Sequence, residues 1–289
     1  MTRKELKNLI TKELAHTVEG REAEAMARVI LEDIAALTVT KILCDGDIPV
    51  EQSTVDKVLS AVERVKGGEP VQYVIGSAMF HGFRLQVDPG VLIPRPETSG
   101  LVDIICDIYK GKTDLHILDA CTGSGAIAIA LARQLPFSRV IGVDISDDAI
   151  AIAKKNCNDL SVKNVTIIKS DILQPETLHN QLSTIAPLDI IVSNPPYVLE
   201  NEKAYIDPRV LDHEPALALF VPDDEPLLFY KSIVSLALKY LKSRGSLFFE
   251  INPSQAKNIE ALLNQNGFTD IDILRDFDGK YRYAIATKR

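Results

Sequence analysis

From Leu115 to its C-terminus the chain reads as an α/β protein with a mostly parallel sheet, and before residue 70 it reads as a small helical domain. Three observations carry this. Short apolar runs of strand character alternate with amphipathic helical stretches after residue 115, the pattern of a sheet covered on both faces. The first 70 residues repeat apolar side chains at spacings of three and four. Between the two, from Val71 to Ile93, the period drops to two and is broken by Gly76, Gly82 and Pro89-Gly90, which predicts a linking β-hairpin. The expected organisation is therefore 1–70 helical, 71–93 hairpin and 94–289 α/β.

In the helical part, Thr2-Arg3-Lys4-Glu5 fits a capping box, followed by Leu6, Leu9, Ile10 and Leu14. Gly20 interrupts, and Met26, Val29, Ile30, Ile34 and Leu37 form a second stripe. A short helix near Lys41–Cys44 precedes a longer one with Val55, Val58, Leu59, Val62 and Val65 inward, ended by Gly67-Gly68. Acidic residues outnumber basic ones here, so no basic stripe marks the surface. A plain helical bundle and a docking module for another macromolecule both fit. In the hairpin, Val71, Tyr73 and Ile75, then Phe80, Phe83, Leu85 and Val87, have the alternation of strands. Pro96 stands where a helix's first turn accepts proline, with Leu101, Ile104, Ile105 and Ile108 behind it.

The alternation then runs in order: strand 115–120, helix 126–135, strand 139–144, helix 147–160, strand 165–169, an irregular passage, and strand 189–193. Residues 198–226 are polar and proline-bearing. A helix near 226–241, a strand at 246–251 and a helix at 254–266 follow. Two closing strands at 269–275 and 281–287 flank Asp278-Gly279 and should run antiparallel.

Composition narrows the function. The 289 residues are 46% hydrophobic and 25% charged, sufficient for a large core, and the net charge of -8 argues against binding nucleic acid by general phosphate attraction. No apolar run is long enough for a membrane span, and the opening residues lack the pattern of a signal peptide. Cys44, Cys106, Cys121 and Cys157 are scattered, with no ligand-spaced histidine, which points to reduced thiols in a cytoplasmic protein and no metal site. A monomer is expected.

Asp119-Ala120-Cys121-Thr122-Gly123-Ser124-Gly125 follows a strand and opens a helix, so its glycines allow tight turning and close backbone approach to a ligand. It lacks the third glycine of the dinucleotide fingerprint and the Gly-Lys-Ser/Thr of a phosphate loop. Asp144 ends the next strand, where a carboxylate can accept both hydroxyls of an unphosphorylated ribose. Asp171 follows the third, where it can accept from an adenine amino group, with Ile172 against the ring. Each acid alone is equally a loop or cap residue. In series at three successive strand ends they indicate a nucleoside site without phosphate machinery, which suits S-adenosylmethionine.

The fourth strand ends in Asn194-Pro195-Pro196-Tyr197. Taken alone this is a turn. Beside the nucleoside site it offers a side-chain amide oxygen and backbone carbonyls on a rigid frame, with an aromatic face alongside, a fit for a planar NH2 group.

The series Asp-x-x-Thr-Gly-Ser-Gly, Asp144, Asp171 and Asn-Pro-Pro-Tyr resembles the class I S-adenosylmethionine-dependent methyltransferases, Rossmann-like enzymes, that modify planar amino groups. Gln72-Tyr73-Val74-Ile75-Gly76, Phe80-His81-Gly82-Phe83, Leu92-Ile93-Pro94-Arg95-Pro96-Glu97-Thr98 and Asp278-Gly279-Lys280-Tyr281-Arg282 narrow the resemblance to the PrmC/HemK family. It implies methylation, at the side-chain N5, of the glutamine in the Gly-Gly-Gln motif of peptide chain release factors. By position it implies Cys121, Thr122, Gly123, Ser124, Gly125, Asp144, Asp171, Ile172 and Asn194 as cofactor contacts. Asn194, Pro195, Pro196 and Tyr197 would hold the glutamine, with Asn194, Pro195 and Tyr197 catalytic. The helical domain and hairpin would grip the partner protein.

The chain departs from the family pattern at Cys121, where a glycine is common, and at Glu250-Ile251-Asn252-Pro253, which replaces Glu-x-Gly. Leu92 stands where some relatives have an aromatic, and Asp223-Asp224-Glu225 where glycine is frequent. Arg95 and Glu97 fit either a pocket role or a surface pair. Three other readings compete. They are glutamine methylation of a ribosomal protein, adenine-N6 methylation of DNA, for which no recognition module is present, and a non-catalytic cofactor-binding protein.

Overall fold

The computed structural model describes residues 1–174, 178, 182 and 187–289. The chain forms two compact units, Met1–Ser77 with Asp207–His213, and Ala78–Ile206 with Glu214–Arg289.

The first unit is built on helices α1 (Arg3–Leu14), α2 (Gly20–Ala35), α3 (Val39–Cys44), α4 (Gln52–Lys66) and α5 (Val71–Ile75). Thr2 and Glu5 make the reciprocal capping box that starts α1. Leu6, Ile10, Leu14, Ala27, Ile30, Val58 and Val62 are fully buried between the long helices. The later segment Asp207–His213 belongs to this unit, where Arg209 Nη1 meets Glu22 Oε1 at 2.6 Å.

The expectation of strands at Val71, Tyr73 and Ile75 is overturned, because those residues form α5. Pro70 precedes the helix and Gly76, at φ 72°, closes it in the left-handed region. Five residues cannot distinguish a period of two from one helical turn, and the flanking proline and glycine decided the outcome. The hairpin is correspondingly shorter: β1 (Ser77–Phe80) and β2 (Phe83–Gln86), joined at His81 and Gly82, both at positive φ, as a two-residue hairpin turn requires.

In the second unit β3 (His116–Ala120), β4 (Arg139–Asp144), β5 (Val165–Lys169), β6 (Leu188–Ser193), β9 (Leu241–Glu250), β10 (Thr269–Arg275) and β11 (Tyr281–Thr287) form one sheet in the order β10-β11-β9-β6-β3-β4-β5. The pair β7 (Val198–Leu199) and β8 (Phe220–Val221) stands apart. β11 is antiparallel to β9 and β10, and the remaining pairs are parallel. Part of the irregular passage expected before β6 lies outside the described residues.

Helices α6 (Pro96–Ile108), α7 (Ala126–Gln134) and α8 (Asp147–Asp159) cover one face against Ile117, Val140, Ile190 and Phe248. Helices α9 (Leu228–Tyr240) and α10 (Ala256–Gln265) cover the other against Leu118, Ile141, Ile191, Leu247 and Phe249. Alternate residues of each strand serve the two faces, as the pleat dictates. The hairpin's Phe80, Phe83 and Leu85 join the first of these cores.

Register then positions the site. Ala120 pairs with Val143 on one side and Ser193 on the other, and Asp144 pairs with Lys169. The turns after β3, β4, β5 and β6 therefore emerge level at the carboxyl edge, where the chain passes from β3 to β4 on one side and returns to β6 on the other. This is the switch point at which open α/β sheets hold ligands.

Candidate active site

The glycine turn after β3 is held from inside. Asp119 is fully buried, and its Oδ2 accepts from Thr122 Oγ1 at 2.6 Å and from Ala128 N at 3.0 Å. Burial without a cationic partner pushes its pKa up to about 7. Cys121, Gly123 and Gly125 all take positive φ. Gly142 in β4 leaves room for the turn, since a Cβ there would stand 2.8 Å from Thr122 Oγ1. Asn156 of α8 donates to Ser124 O at 2.9 Å and to Gln86 O at 3.0 Å, tying the turn to β2.

Asp144 faces this turn. Its Oδ2 accepts from Gly123 N at 2.8 Å and its Oδ1 from Ser146 N at 3.0 Å, which fixes the carboxylate plane. Burial raises its pKa, against the pull of those backbone donors. Asp171 is fixed similarly, accepting from Leu173 N at 2.9 Å and Gln174 Nε2 at 3.0 Å. Burial, with the nearby Asp144, raises the Cys121 thiol far above its ordinary range, so it stays protonated.

Together these turns border an open cleft at the carboxyl edge of the sheet. Of the residues the sequence singled out, Cys121, Thr122, Gly123, Ser124, Asp144, Asp171, Ile172, Asn194 and Pro196 line it. Gly125 does not; it stands behind the turn at the start of α7. The charged side chains lining the cleft, among the described residues, are Asp144, Asp171 and Arg95. Two carboxylates against one guanidinium disfavour a phosphorylated ligand and favour one bearing positive charge. Ile145, Ile172 and Leu173 add an apolar wall for a flat ring. This donor and acceptor set fits S-adenosylmethionine, with its ribose hydroxyls, adenine amino group and sulfonium.

A smaller cleft adjoins it, lined by Pro195, Tyr197, Val198, Leu219 and Glu250, and the two share Leu92, Arg95, Asn194 and Ala218. Asn194 Nδ2 donates to Thr98 Oγ1 at 3.2 Å, and Thr98 Oγ1 donates to Glu250 Oε2 at 2.7 Å. Tyr197 donates its hydroxyl to Glu250 Oε1 at 3.0 Å. Tyr230 donates to the Glu250 carbonyl at 3.1 Å, and Asn252 Nδ2 to the Tyr197 carbonyl at 3.1 Å. Glu250 is 1% exposed, and burial raises its pKa although Thr98, Tyr197 and the Arg282 guanidinium all favour its charged form. Burial and the Glu250 charge hold Tyr197 as a phenol.

Arg95 Nη2 pairs with buried Glu214 Oε1 at 2.5 Å, and Glu214 also accepts from Ile93 N at 3.1 Å. Arg95 is thus a pocket-lining residue. Glu97 contributes its backbone carbonyl, which accepts from Tyr283 at 2.7 Å. Sequence reasoning passed over Thr98, Glu214 and Glu250 as functional residues. A glutamate ending the apolar run Leu247-Phe248-Phe249 was the available signal, because such a charge is buried only when partners await it.

A family model described as a methyltransferase domain matches residues 112–270, and one described as the PrmC N-terminal domain matches residues 5–76. A release factor glutamine methyltransferase of Bacteroides thetaiotaomicron is 38% identical over 267 residues, 92% of this chain and 93% of its own. That of Flavobacterium psychrophilum is 39% identical over 272 residues, 93% of each. Among solved structures, the 16S rRNA N2 G1207 methyltransferase of Thermus thermophilus superposes with a TM-score of 0.52 at 22% identity, over 74% of this chain and 50% of that one, a likeness of fold alone. Among the described residues no helix is long and apolar enough to cross a membrane.

Proposed function

The chain belongs to the release factor glutamine methyltransferase family, and from that premise we propose that it methylates the side-chain N5 of the glutamine in the Gly-Gly-Gln motif of a peptide chain release factor. The observation that carries this reading is the meeting of the two clefts at Asn194, one suited to a nucleoside and the other to a small planar amide. When bound, S-adenosylmethionine supplies an electrophilic methyl group on its sulfonium. Thr122, Gly123 and Asp144 would hold its polar groups, and Asp171 and Ile172 its base.

The protein's remaining task concerns the acceptor. A carboxamide nitrogen is a poor nucleophile because its lone pair is delocalised into the carbonyl. Asn194 Oδ1 and the Pro195 carbonyl each accept one of its two N–H groups. That pairing favours a pyramidal nitrogen and stabilises the positive charge developing there. Tyr197 packs on the amide plane. Both Glu250 oxygens are already taken by hydroxyls, so the proton released from the nitrogen passes to solvent. The helical unit is proposed to dock the partner protein.

Incubation with radiolabelled cofactor tests this reading on three substrates: a release factor, its Gly-Gly-Gln glutamine-to-alanine variant, and duplex DNA. Label on the unaltered factor alone is the expected result. Label on the variant factor or on DNA would overturn the assignment.

A further inference from the structure

The acceptor role needs Asn194 to present its oxygen to the substrate, yet a primary amide has two ends of nearly the same shape. Packing alone chooses poorly between them, and a flipped Asn194 would point two N–H groups at an amide that also carries two. Something must set the polarity, and the count of protons in the surrounding network shows what does.

Thr98 has a single hydroxyl proton. It lies 2.7 Å from Glu250 Oε2, and Glu250 as a carboxylate can only accept. With that proton committed, Thr98 Oγ1 offers Asn194 lone pairs and nothing else. Only the NH2 end of Asn194 can face it, as observed at 3.2 Å. The Oδ1 end is thereby turned away from Thr98. The other Glu250 oxygen accepts from the Tyr197 hydroxyl at 3.0 Å, which anchors the ring in the lining of the acceptor cleft. Thr98 and Glu250 are 4% and 1% exposed, so water does not compete for these groups.

We propose that Glu250 is a positioning residue which, through the Thr98 hydroxyl, fixes the donor–acceptor polarity of the Asn194 side chain and simultaneously anchors Tyr197. Glu250 does so from 152 residues away from Thr98 in sequence, at the end of β9, while Thr98 stands in the first turn of α6 and Asn194 just past β6. Three separate elements converge to orient one amide. The consequence for catalysis rests on the glutamine-methylation reading above; the polarity itself does not.

The decisive variant is Glu250→Gln, which keeps size and shape. A glutamine NH2 facing Thr98 can donate, freeing the Thr98 proton to point at Asn194 and permitting the flip. Expected is a fall in kcat of about 10- to 100-fold, with cofactor affinity changed less than about twofold and thermal stability maintained. Thr98→Val, which deletes the hydroxyl at constant volume, should lower kcat similarly, and Thr98→Ser should restore most of it. A purely structural role would lower stability in all three and leave the kcat of the folded fraction unchanged. An equal loss in Thr98→Ser and Thr98→Val would overturn the proposal, as would a Glu250→Gln enzyme with near-normal kcat.

A second measurement needs no substrate. With selective 15N-asparagine labelling, the Asn194 side-chain NH2 signal, assigned by its disappearance in Asn194→Asp, should be protected from solvent exchange. That protection should vanish in Thr98→Val and Glu250→Gln and survive in Thr98→Ser. If the unaltered enzyme fails on every glutamine substrate but shows this pattern, the functional reading falls and the relay stands. An Asn194 NH2 that exchanges freely in the unaltered protein sinks the relay, whatever the activity.

Discussion

The two halves of the site are made by opposite means. The cofactor side is assembled within and between the turns at neighbouring strand ends: Asp119 reaches Thr122 and Ala128, and Asp144 reaches Ser146 two residues on and Gly123 in the neighbouring turn. The acceptor side is assembled from side chains brought together by tertiary structure, with Thr98, Asn194, Glu250 and Arg282 from four different elements. One half is backbone geometry set within the turns. The other is a chain of buried hydrogen bonds in which each member determines the next, so damage to any one propagates.

The largest expected effect follows on the acceptor side. Asn194→Ala removes one of the two proposed oxygens facing the reacting nitrogen and should lower kcat by about 10²–10³-fold, the size seen when one preorganised polar partner of a transition state is deleted. Cofactor affinity, measured by calorimetry, should change by only a few-fold. Near-normal single-turnover rates would contradict the role given to Asn194. On the cofactor side Asp144→Asn should do the reverse. It sets an NH2 against a backbone N–H donor and should weaken cofactor binding by about 10- to 100-fold, the worth of one charged hydrogen bond, with kcat at saturation nearly unchanged. If both variants act on both parameters, the division between the halves does not exist.

The same division explains what the sequence made legible. The alternation of strands and helices and the antiparallel closing pair follow from periodicity and turn residues, and the structure has both. The order of the strands was not legible, because which strands pair is decided by contacts far apart in sequence. The strand assignment at Val71, Tyr73 and Ile75 failed because α5 is too short for periodicity to report, and only Pro70 and Gly76 carried the answer. Thr98 and Glu250 were visible as residues yet not as partners, because nothing local to α6 or to β9 indicates that the two meet. The return of Asp207–His213 to the helical unit escaped for the same reason.

Protonation separates the halves more finely. Burial raises the Glu250 pKa from its ordinary value, with Glu97 adding to the rise and Thr98, Tyr197 and Arg282 opposing it. Tyr230 and Tyr283 also sense its charge. The ionised form is the one that commits the Thr98 proton, so kcat should fall about tenfold as pH drops through the folded-state pKa of Glu250, above the range of an ordinary glutamate. Stability runs the other way. A carboxyl whose folded pKa is raised contributes most below its unfolded value, and that contribution is lost as pH rises through the folded one. A kcat profile of the unaltered enzyme with an acid limb that Glu250→Gln lacks would locate the titration. The same limb in the variant would assign it elsewhere.

The smallest effect is expected at Cys121, where the resemblance noted in the sequence implies a glycine. Its φ of 62° lies in the left-handed region, which costs a residue with a Cβ about 1–2 kcal/mol. Cys121→Gly relieves that strain but adds about 0.5–1 kcal/mol of backbone entropy lost on folding, and it removes a thiol packed against the core on that face of the sheet. These contributions oppose each other and nearly cancel, so the midpoint of thermal unfolding should move by no more than a few degrees, with cofactor affinity within about twofold. The backbone groups Thr122 N and Gly125 N keep their partners, Val143 O and Thr122 O, whichever residue stands at 121. A large loss of affinity in Cys121→Gly would show that the thiol itself shapes the cleft and that the cofactor half depends on side-chain packing as much as the acceptor half does.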